Sequence, residues 1–560
     1  MYACSVHIPS PEDNERDLWD AQEVKDEIRL MFQYSWPMMA AMMMHQAQVV
    51  VILACLAETT KGEGEESRDV LGGVGIAVMA INATGFYWIM GLTSALETLG
   101  SQLYGQGRFV AVGLTLQTAL IVIGTLASPN VFVWWYLGDV LEACGVSVNE
   151  SIVASRFARV MILGLPAIVL SECLRKYMTA QGIMSPFFFF AVAIFSLHLM
   201  WLFIFVYELK LGVEGAALAW VFSFWSSFVM MLGYILWKGI WRKNGLDEGW
   251  DWDCLKIVPR FTTLAVSGAI MLVLEAWGFE IITLLAGTLG AVELATQTVL
   301  TNTESCFFMI PLGIGTACAT RVGQLLGQSQ PIAASRALRV ALGLSLTLTA
   351  ILMLLTLIGQ NLWVNLFTSD QDTKVLFFRV FPLQILVFVL NAVQGVLSGA
   401  LRGCGRQMDG AYCNLLSFWA VGFPWVFVLT FVFGWGLFGL WNGLSCGIFL
   451  QSVVMLRFFS SLDWEAEAAE CAKNNDAVAA ESPRCRGGAG RGGEGDGSQP
   501  PTDKSGILVE VMCVSLVMSI VIVALYFGPL SQMNVNYYPG HERGGGAHQT
   551  LYQHTNSTQV

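Results

Sequence analysis

Two glutamates lie in a long apolar stretch, where ionisable side chains are rare. Glu275 and Glu280 belong to LVLEAWGFEIITLLAG (272–287), and no basic residue falls between 261 and 300. A charge at the centre of a bilayer costs about 2.5–3.5 kcal/mol on insertion scales, so carboxylates kept there usually face a protein interior or a water-filled cavity. We therefore expect Glu275 to mark an ion or substrate path. Glu280 has an equally good alternative, which is to cap a turn or reach the membrane interface.

The composition is that of an integral membrane protein. Of 560 residues, 55% are hydrophobic and only 13% are charged, whereas soluble proteins carry about 25% charged residues. The formal net charge of −12 argues against a nucleic-acid partner. The 13 cysteines form no CxxC or Cys/His metal spacing, so we expect no metal and no other cofactor. The motifs DDxxD and HxxxD are absent, which argues against a membrane-embedded transferase.

The hydrophobic segments predict an all-α membrane protein, because each is about 20 residues long and can span a bilayer as a helix. Twelve segments fall into two groups of six, and a thirteenth follows after a gap. The predicted regions are an acidic cytoplasmic tail (1–30), a first lobe of helices 1–6 (31–241), a second lobe of helices 7–12 (257–461), a disordered cytoplasmic linker (462–505), a thirteenth C-terminal helix (506–528) and an extracytoplasmic tail (529–560). Most of the 30 Lys and Arg residues then lie on the side of the N-terminus, which predicts a cytoplasmic N-terminus and an extracytoplasmic C-terminus.

An internal repeat supports the two groups of six. SALETLGSQLYGQGRFVAVG (94–113) matches TACATRVGQLLGQSQPIAAS (316–335), and a weaker match joins LRKYMTAQG (174–182) to LRGCGRQ (401–407). The pairs in register are Gln102 and Gln324, Gly105 and Gly327, and, near the end of each unit, Gly215 and Gly439. Because six is an even number, both units insert with the same orientation. Carriers built from such parallel repeats bind their substrates at the interface between the repeats.

Six motifs carry a resemblance to a known family over residues 30–460. They are INATG (81–85), SALETLGSQLYGQG (94–107), LEAWGFE (274–280), LGAVEL (289–294), TRVGQLLGQ (320–328) and SGALRGCGRQ (398–407). In order and spacing the chain resembles the multidrug and toxin extrusion (MATE) family, and LEAWGFE is similar to its eukaryotic members. The resemblance implies two six-helix lobes forming a V around a central cleft. It also implies export of organic cations, metabolites or organic acids in exchange for protons, or for Na⁺ in some members.

The resemblance implies roles for several residues of helices 2 and 7. Glu275 and Glu280 lie where eukaryotic members have acidic residues in helix 7, and their five-residue separation, about 140° on a helix, makes them successive stations rather than one ligand pair. Asn82 matches a polar residue of helix 2. Trp277 and Phe279 have two equally good interpretations, π-faces for an organic cation or ordinary packing. Gln48 and Gln297 complete the polar residues expected along the cavity.

Two positions depart from the family pattern. Asn302 lies where some exporters have Glu in helix 8, and Asn391 lies where helix 10 usually has Asp or Glu. Both are assigned to the substrate cavity, which then loses two of its usual negative charges. Glu304 is about 200° around the helix from Asn302, so it is not a simple replacement. It remains a third candidate for ion coupling, after Glu275 and Glu280.

Together these features predict a secondary active antiporter, not an enzyme, that exports organic cations, metabolites or xenobiotics in exchange for protons. The alternatives are Na⁺ coupling, organic-acid export, a lipid flippase, and a receptor that retains a carrier fold. A flippase would need a buried Arg or Lys cluster for a phosphate head, and the sequence gives no sign of one. The expected partners are a small organic substrate and the lipid bilayer. We expect a monomer in the plasma membrane or in a vacuolar or other internal membrane.

Overall fold

The structure, a computed structural model, describes residues 21–59, 65–368 and 370–480. It has twelve helices that are long and apolar enough to cross a membrane, as the sequence predicts. They are α1 (Ala21–Thr59), α2 (Asp69–Gly105), α3 (Phe109–Trp135), α4 (Val148–Ala180), α5 (Pro186–Glu208), α6 (Gly212–Trp237), α7 (Cys254–Leu289), α8 (Ala291–Gly327), α9 (Pro331–Asn365), α10 (Gln371–Cys404), α11 (Gln407–Val432) and α12 (Gly436–Ser460). Helices α1–α6 form the N-lobe and α7–α12 form the C-lobe. We call the face at which α1 begins the base.

Helix α1 extends well beyond a bilayer at the base. Its 39 residues span about 58 Å, about twice the thickness of a hydrocarbon core. The predicted acidic tail (1–30) is helical from Ala21 onward, because this stretch is rich in the helix formers Ala, Gln, Glu and Lys. The extension connects the lobes, since Arg321 of α8 donates two hydrogen bonds of 2.9 Å to the Glu27 carboxylate.

A second helix at the base, α13 (Trp464–Ala480), occupies the start of the predicted disordered linker. The linker prediction is wrong over this range. Ala468, Cys471 and Val478 are buried against the bundle, and Arg406 forms ion pairs of 3.0 Å with Glu467 and 2.9 Å with Glu470. Burial raises the pKa of the Glu467 carboxyl, although Arg406 opposes the shift. The rest of the predicted linker, the thirteenth helix and the C-terminal tail lie outside the described residues.

The two lobes meet at the base through a pair of reciprocal contacts. A Cβ added at Gly105 of α2 would lie 2.1 Å from the Gln324 carbonyl oxygen, and one added at Gly327 of α8 would lie 2.1 Å from the Gln102 carbonyl oxygen. Only glycine lets the two backbones approach this closely. The side-chain amides repeat the pattern, because Gln102 donates to the Gly403 carbonyl at 2.9 Å while Gln324 donates to the Ala180 carbonyl at 3.0 Å. The contacts are those expected of two repeats facing each other across a two-fold axis.

The repeat also fixes the register of the weaker sequence match. Gly182 follows α4 and Gly405 follows α10, both in the left-handed region with φ of 74° and 83°. These two glycines are 223 residues apart, close to the spacing of the strong matches. The letter match of Leu174 with Leu401 is therefore four residues out of register. It reflects chance similarity and not equivalent positions.

Candidate functional site: the cavity between the lobes

Side chains of both lobes line a central cavity. The N-lobe supplies Met42, Met90, Gly91, Ser94, Arg175 and Lys176; the C-lobe supplies Gly268, Met271, Leu272, Glu275, Phe308, Leu312, Thr316, Gln394, Gly395, Ser398 and Arg402. The backbones of the lobes come together at one wall, where a Cβ on Gly91 would lie 2.4 Å from Cα of Ala269. A ligand in this cavity would contact both lobes.

Glu275 is a buried carboxylate in this cavity, with 8% of its surface exposed. Its Oε2 accepts a 2.8 Å hydrogen bond from the Gln394 amide of α10. The same amide nitrogen also donates to Ser398 Oγ at 3.1 Å. A neutral donor therefore holds the Glu275 carboxylate, and Arg402 lies within electrostatic range of it. Glu275 therefore lines a cavity, which is the position that the sequence predicts for it.

Glu304 forms a second carboxylate–amide pair deeper in the C-lobe. Its Oε1 accepts a 2.5 Å hydrogen bond from the Asn391 amide, while Oε2 is buried without a hydrogen-bond partner. The pair lines a second, smaller cavity between α8, α9 and α10. Glu304, which is not expected to be a simple replacement for a charge at Asn302, thus supplies a negative charge opposite Asn391. Asn302 does not line either cavity and instead donates to the Thr298 carbonyl of its own helix at 2.9 Å.

Helix α10 presents the donors of both pairs on one stripe. Asn391, Gln394, Ser398 and Arg402 are spaced three, four and four residues apart, which places them along one face of a helix. The stripe on α10 begins beside Glu304 of α8, runs past Glu275 of α7 and ends near the base. Phe308 of α8 lines both cavities, so it lies between the two carboxylate sites.

Cationic side chains line the wall of the central cavity nearest the base. Lys176 Nζ lies 2.6 Å from Glu97 Oε2, and Arg402 Nε lies 3.7 Å from the same oxygen. Arg175 forms an ion pair with Glu172. The expectation that no cluster of basic side chains is buried is therefore wrong. The positions of these cations near helix ends predict that they lie at the cytoplasmic loops, yet their side chains line the cavity.

A family model described as MatE matches residues 64–204 and 268–428, more than half of the chain. The chain belongs to the MATE family. Protein DETOXIFICATION 16 of Arabidopsis thaliana is 29% identical over 80% of this chain and 92% of its own length. Multidrug and toxin extrusion protein 1 of Danio rerio is 30% identical over 73% of this chain and 69% of its own. The crystal structure of the eukaryotic MATE transporter AtDTX14 matches with a TM-score of 0.75 and 26% identity, covering 81% of this chain and all of that one.

The family assignment confirms the predicted eukaryotic MATE resemblance and the all-α, two-lobe fold. This chain is a multi-pass membrane transporter, and MATE proteins are transporters rather than enzymes.

Two other predicted residues, Trp277 and Asn82, do not line the cavity of this MATE transporter, and Trp277 joins the two lobes. Helix α2 contains a π-helical segment, Asn82–Phe86, in which the regular helical hydrogen bonds are displaced. The Ala83 carbonyl accepts a 3.1 Å hydrogen bond from Trp277 Nε1 of α7. Trp277 is 5% exposed, and Asn82 is half-buried at the start of the segment. Of the two interpretations of Trp277, packing is the one that its contacts favour.

The remaining candidates lie away from the lining of both cavities. Gln297 is buried among α7, α8 and α12, where it accepts a 2.8 Å hydrogen bond from Trp441 Nε1 and donates to Thr301 at 3.0 Å. Phe279 packs on Phe418 inside the C-lobe. Glu280 is half-buried within electrostatic range of the Tyr87 side chain, and Gln48 is buried in α1. The two helix-7 carboxylates therefore occupy different environments, as their angular separation predicts.

Sequence reasoning missed Gln394, Ser398 and the three cavity cations. One signal was available: NAVQGVLSGALR (391–402) places its polar residues at helical spacing within an apolar helix. Such a stripe in a membrane span points to a polar interior or a cavity. The cations had no comparable signal, because residues near helix ends commonly reach the interface.

Proposed function

We propose that this protein is a proton-coupled antiporter that exports small organic molecules through the central cavity, with its base facing the cytoplasm. Glu275 is the coupling carboxylate and Glu304 is a second protonation site. One observation carries the proposal: a buried carboxylate lies in a cavity shared by both lobes and accepts its 2.8 Å hydrogen bond from a neutral amide, that of Gln394. Family membership supports export but does not specify the ion.

The position of Arg402 supports a link between protonation and lobe arrangement. Arg402 belongs to the C-lobe and lies within electrostatic range of Glu275, while its Nε is 3.7 Å from Glu97 of the N-lobe. A proton on Glu275 removes one of the two negative charges that attract this guanidinium. The attraction across the lobes then changes with proton loading. A proton and a substrate that favour different lobe arrangements are thermodynamically coupled.

Proteoliposome flux tests the proposal. The purified protein is reconstituted, and efflux of a panel of organic cations and anions is followed under an imposed pH gradient, an imposed Na⁺ gradient, or neither. We expect flux driven by the pH gradient in the wild type, loss of that flux in Glu275→Gln, and a partial loss in Glu304→Gln. The matched control is Glu293→Gln, in the first turn of α8 and outside both cavities. It should behave as wild type.

Two outcomes would contradict parts of the proposal. Flux that follows the pH gradient equally well in Glu275→Gln would exclude this carboxylate as the coupling site. Flux that follows only the Na⁺ gradient would replace protons by Na⁺ and leave the export function intact.

A further inference from the structure

Helix α13 contacts both lobes at the base. It packs against α2 of the N-lobe and against α8 and α9 of the C-lobe. Arginines from three parts of the chain also hold it: Arg108 between α2 and α3, Arg260 in α7, and Arg406 between α10 and α11. Since Arg108 belongs to the N-lobe and the other two belong to the C-lobe, α13 links the lobes.

The stronger attachment of α13 is to the C-lobe. Three residues separate it from α12, and the last of them, Asp463, accepts hydrogen bonds of 3.0 and 3.1 Å from backbone N–H groups of the first turn of α13. Trp464 stacks on Phe459 of α12, with ring centroids 6.1 Å apart. Arg406 lies 3.0 Å from Glu467, whose side chain is only 5% exposed. Because its connection is short, its first turn is capped and this ion pair is largely buried, α13 should move with the C-lobe.

The attachment of α13 to the N-lobe is weaker. Arg108 forms an ion pair with Asp476 and donates a 3.5 Å hydrogen bond to the Asn475 carbonyl. The side chains of Arg108 and Asp476 are 29% and 64% exposed. Ion pairs in contact with water are weak, because solvent and salt screen them and both long side chains lose freedom. When the lobes separate at the base, α13 should therefore leave the N-lobe and stay on the C-lobe.

Opening of the base requires the contact with Arg108 to break. The lobes are closed there, since the backbones of α2 and α8 approach each other at Gly105 and Gly327. Helix α13 packs on these same two helices. A helix fixed to one lobe cannot keep its contacts with the other lobe when the two move apart. The ion pair between Arg108 and Asp476 exists only in the closed arrangement and therefore favours it.

We propose that α13 is a latch that stabilises the base-closed state, with Arg108 as the N-lobe residue that it engages. Helix α13 is not one of the twelve spanning helices, and it contributes no residue to the lining of the central cavity. It therefore alters the population of the open base without altering the cavity itself. The inference requires that the base opens, and it depends neither on Glu275 nor on the identity of the coupling ion.

Thiol labelling of the purified full-length protein tests the latch without a substrate or a gradient. Cys318 of α8 is fully buried and reports opening of the base. Cys471 of α13 is 4% exposed and lies within electrostatic range of Arg260, so it reports loss of α13 from the C-lobe. The rate at which a water-soluble maleimide labels each thiol is followed by mass spectrometry. In Arg108→Gln and in Asp476→Asn, we expect Cys318 to react about 1.4- to 5-fold faster, the usual range for an exposed ion pair, and Cys471 to react at the wild-type rate.

An exchange of charges separates the ion pair from other effects of the substitutions. Arg108→Asp alone and Asp476→Arg alone place like charges together and should increase the Cys318 rate further. The two substitutions combined restore an ion pair and should bring the rate below that of either one. Arg457→Gln, which removes an exposed arginine in the last turn of α12, is the control and should leave both labelling rates unchanged.

Three results would overturn the latch. The first is that neither Arg108→Gln nor Asp476→Asn labels Cys318 faster than the control does. The second is that the exchanged pair labels as fast as the variants with like charges, because the two charges would then not act on each other. The third is an equal rise at Cys471, because α13 would then detach from the bundle and not remain on the C-lobe. None of these results bears on pH-driven flux, so failure of the latch is distinguishable from failure of the proposed function.

Discussion

The reciprocal glycine contacts at the base predict two equivalent mutants. In Gly105→Ala, the new Cβ would lie 2.1 Å from the Gln324 carbonyl oxygen; in Gly327→Ala, it would lie 2.1 Å from the Gln102 carbonyl oxygen. Close carbon–oxygen contacts in proteins are about 3.3 Å or longer, so α2 and α8 must separate by about 1 Å. Overpacking of this kind costs about 1–3 kcal/mol. The ratio of base-closed to base-open protein should then fall by about 5- to 150-fold.

The accessibility of Cys318 provides the assay. This thiol is fully buried on α8, within electrostatic range of Glu27 and Arg402. Its rate of labelling by a water-soluble maleimide, mapped by mass spectrometry, should rise in both variants by similar factors. Gly124→Ala in α3 and Gly343→Ala in α9 are matched controls, because no atom lies within 4 Å of the added Cβ. In a helix interior that change is neutral or stabilising, by up to about 1 kcal/mol.

Different labelling rates of Cys318 in Gly105→Ala and Gly327→Ala would refute this reasoning. If Gly105→Ala exposed Cys318 while Gly327→Ala did not, the two contacts would not be equivalent parts of one two-fold interface. Equal labelling in all four variants would show that the close approach does not hold the base closed.

Two other predictions concern single contacts. Asn391→Leu removes the amide that donates to Glu304, so the free energy of unfolding should fall by about 1–3 kcal/mol. The loss would be measured as a lower Tm in detergent. A Tm equal to that of wild type would show that the Asn391–Glu304 pair contributes nothing to stability. Arg406→Gln removes the ion pairs to α13, so limited trypsin digestion at Lys473 should become faster. Arg457→Gln is the control. An unchanged rate of digestion would show that apolar packing alone holds this helix on the bundle.

The sequence was sufficient for the fold because its main signals are local. Hydrophobic length determines a membrane span, and an internal match at a constant offset identifies a repeat. The structure at the base was harder to predict. In α13, the segment WEAEAAECAKNNDAVAA is rich in alanine and other helix formers, but it is continuous with a glycine-rich polar stretch that favours a linker. What makes this helix stable is its packing on the bundle, which composition does not report.

The candidate site was only partly predictable, because its chemistry lies in pairs of residues from different helices. The angle between Asn302 and Glu304 shows that they face opposite sides, but not which one faces α10. The family pattern favoured Asn302, whereas Glu304 is the one paired with Asn391. Trp277 posed the same problem, since its partner is a carbonyl freed by a π-helical segment in the other lobe.

The amides on α10 change how the buried carboxylates can work. Where two acids share a site, their protons come off in steps that belong to the pair. Here Glu275 has Gln394 and Glu304 has Asn391, and an amide donates a hydrogen bond without exchanging a proton. The two carboxylates are therefore separate stations, each with its own amide donor, and Phe308 lies between them. Because the stripe on α10 continues from these stations to Arg402, a movement of this one helix would alter the surroundings of both carboxylates and of the cationic wall together.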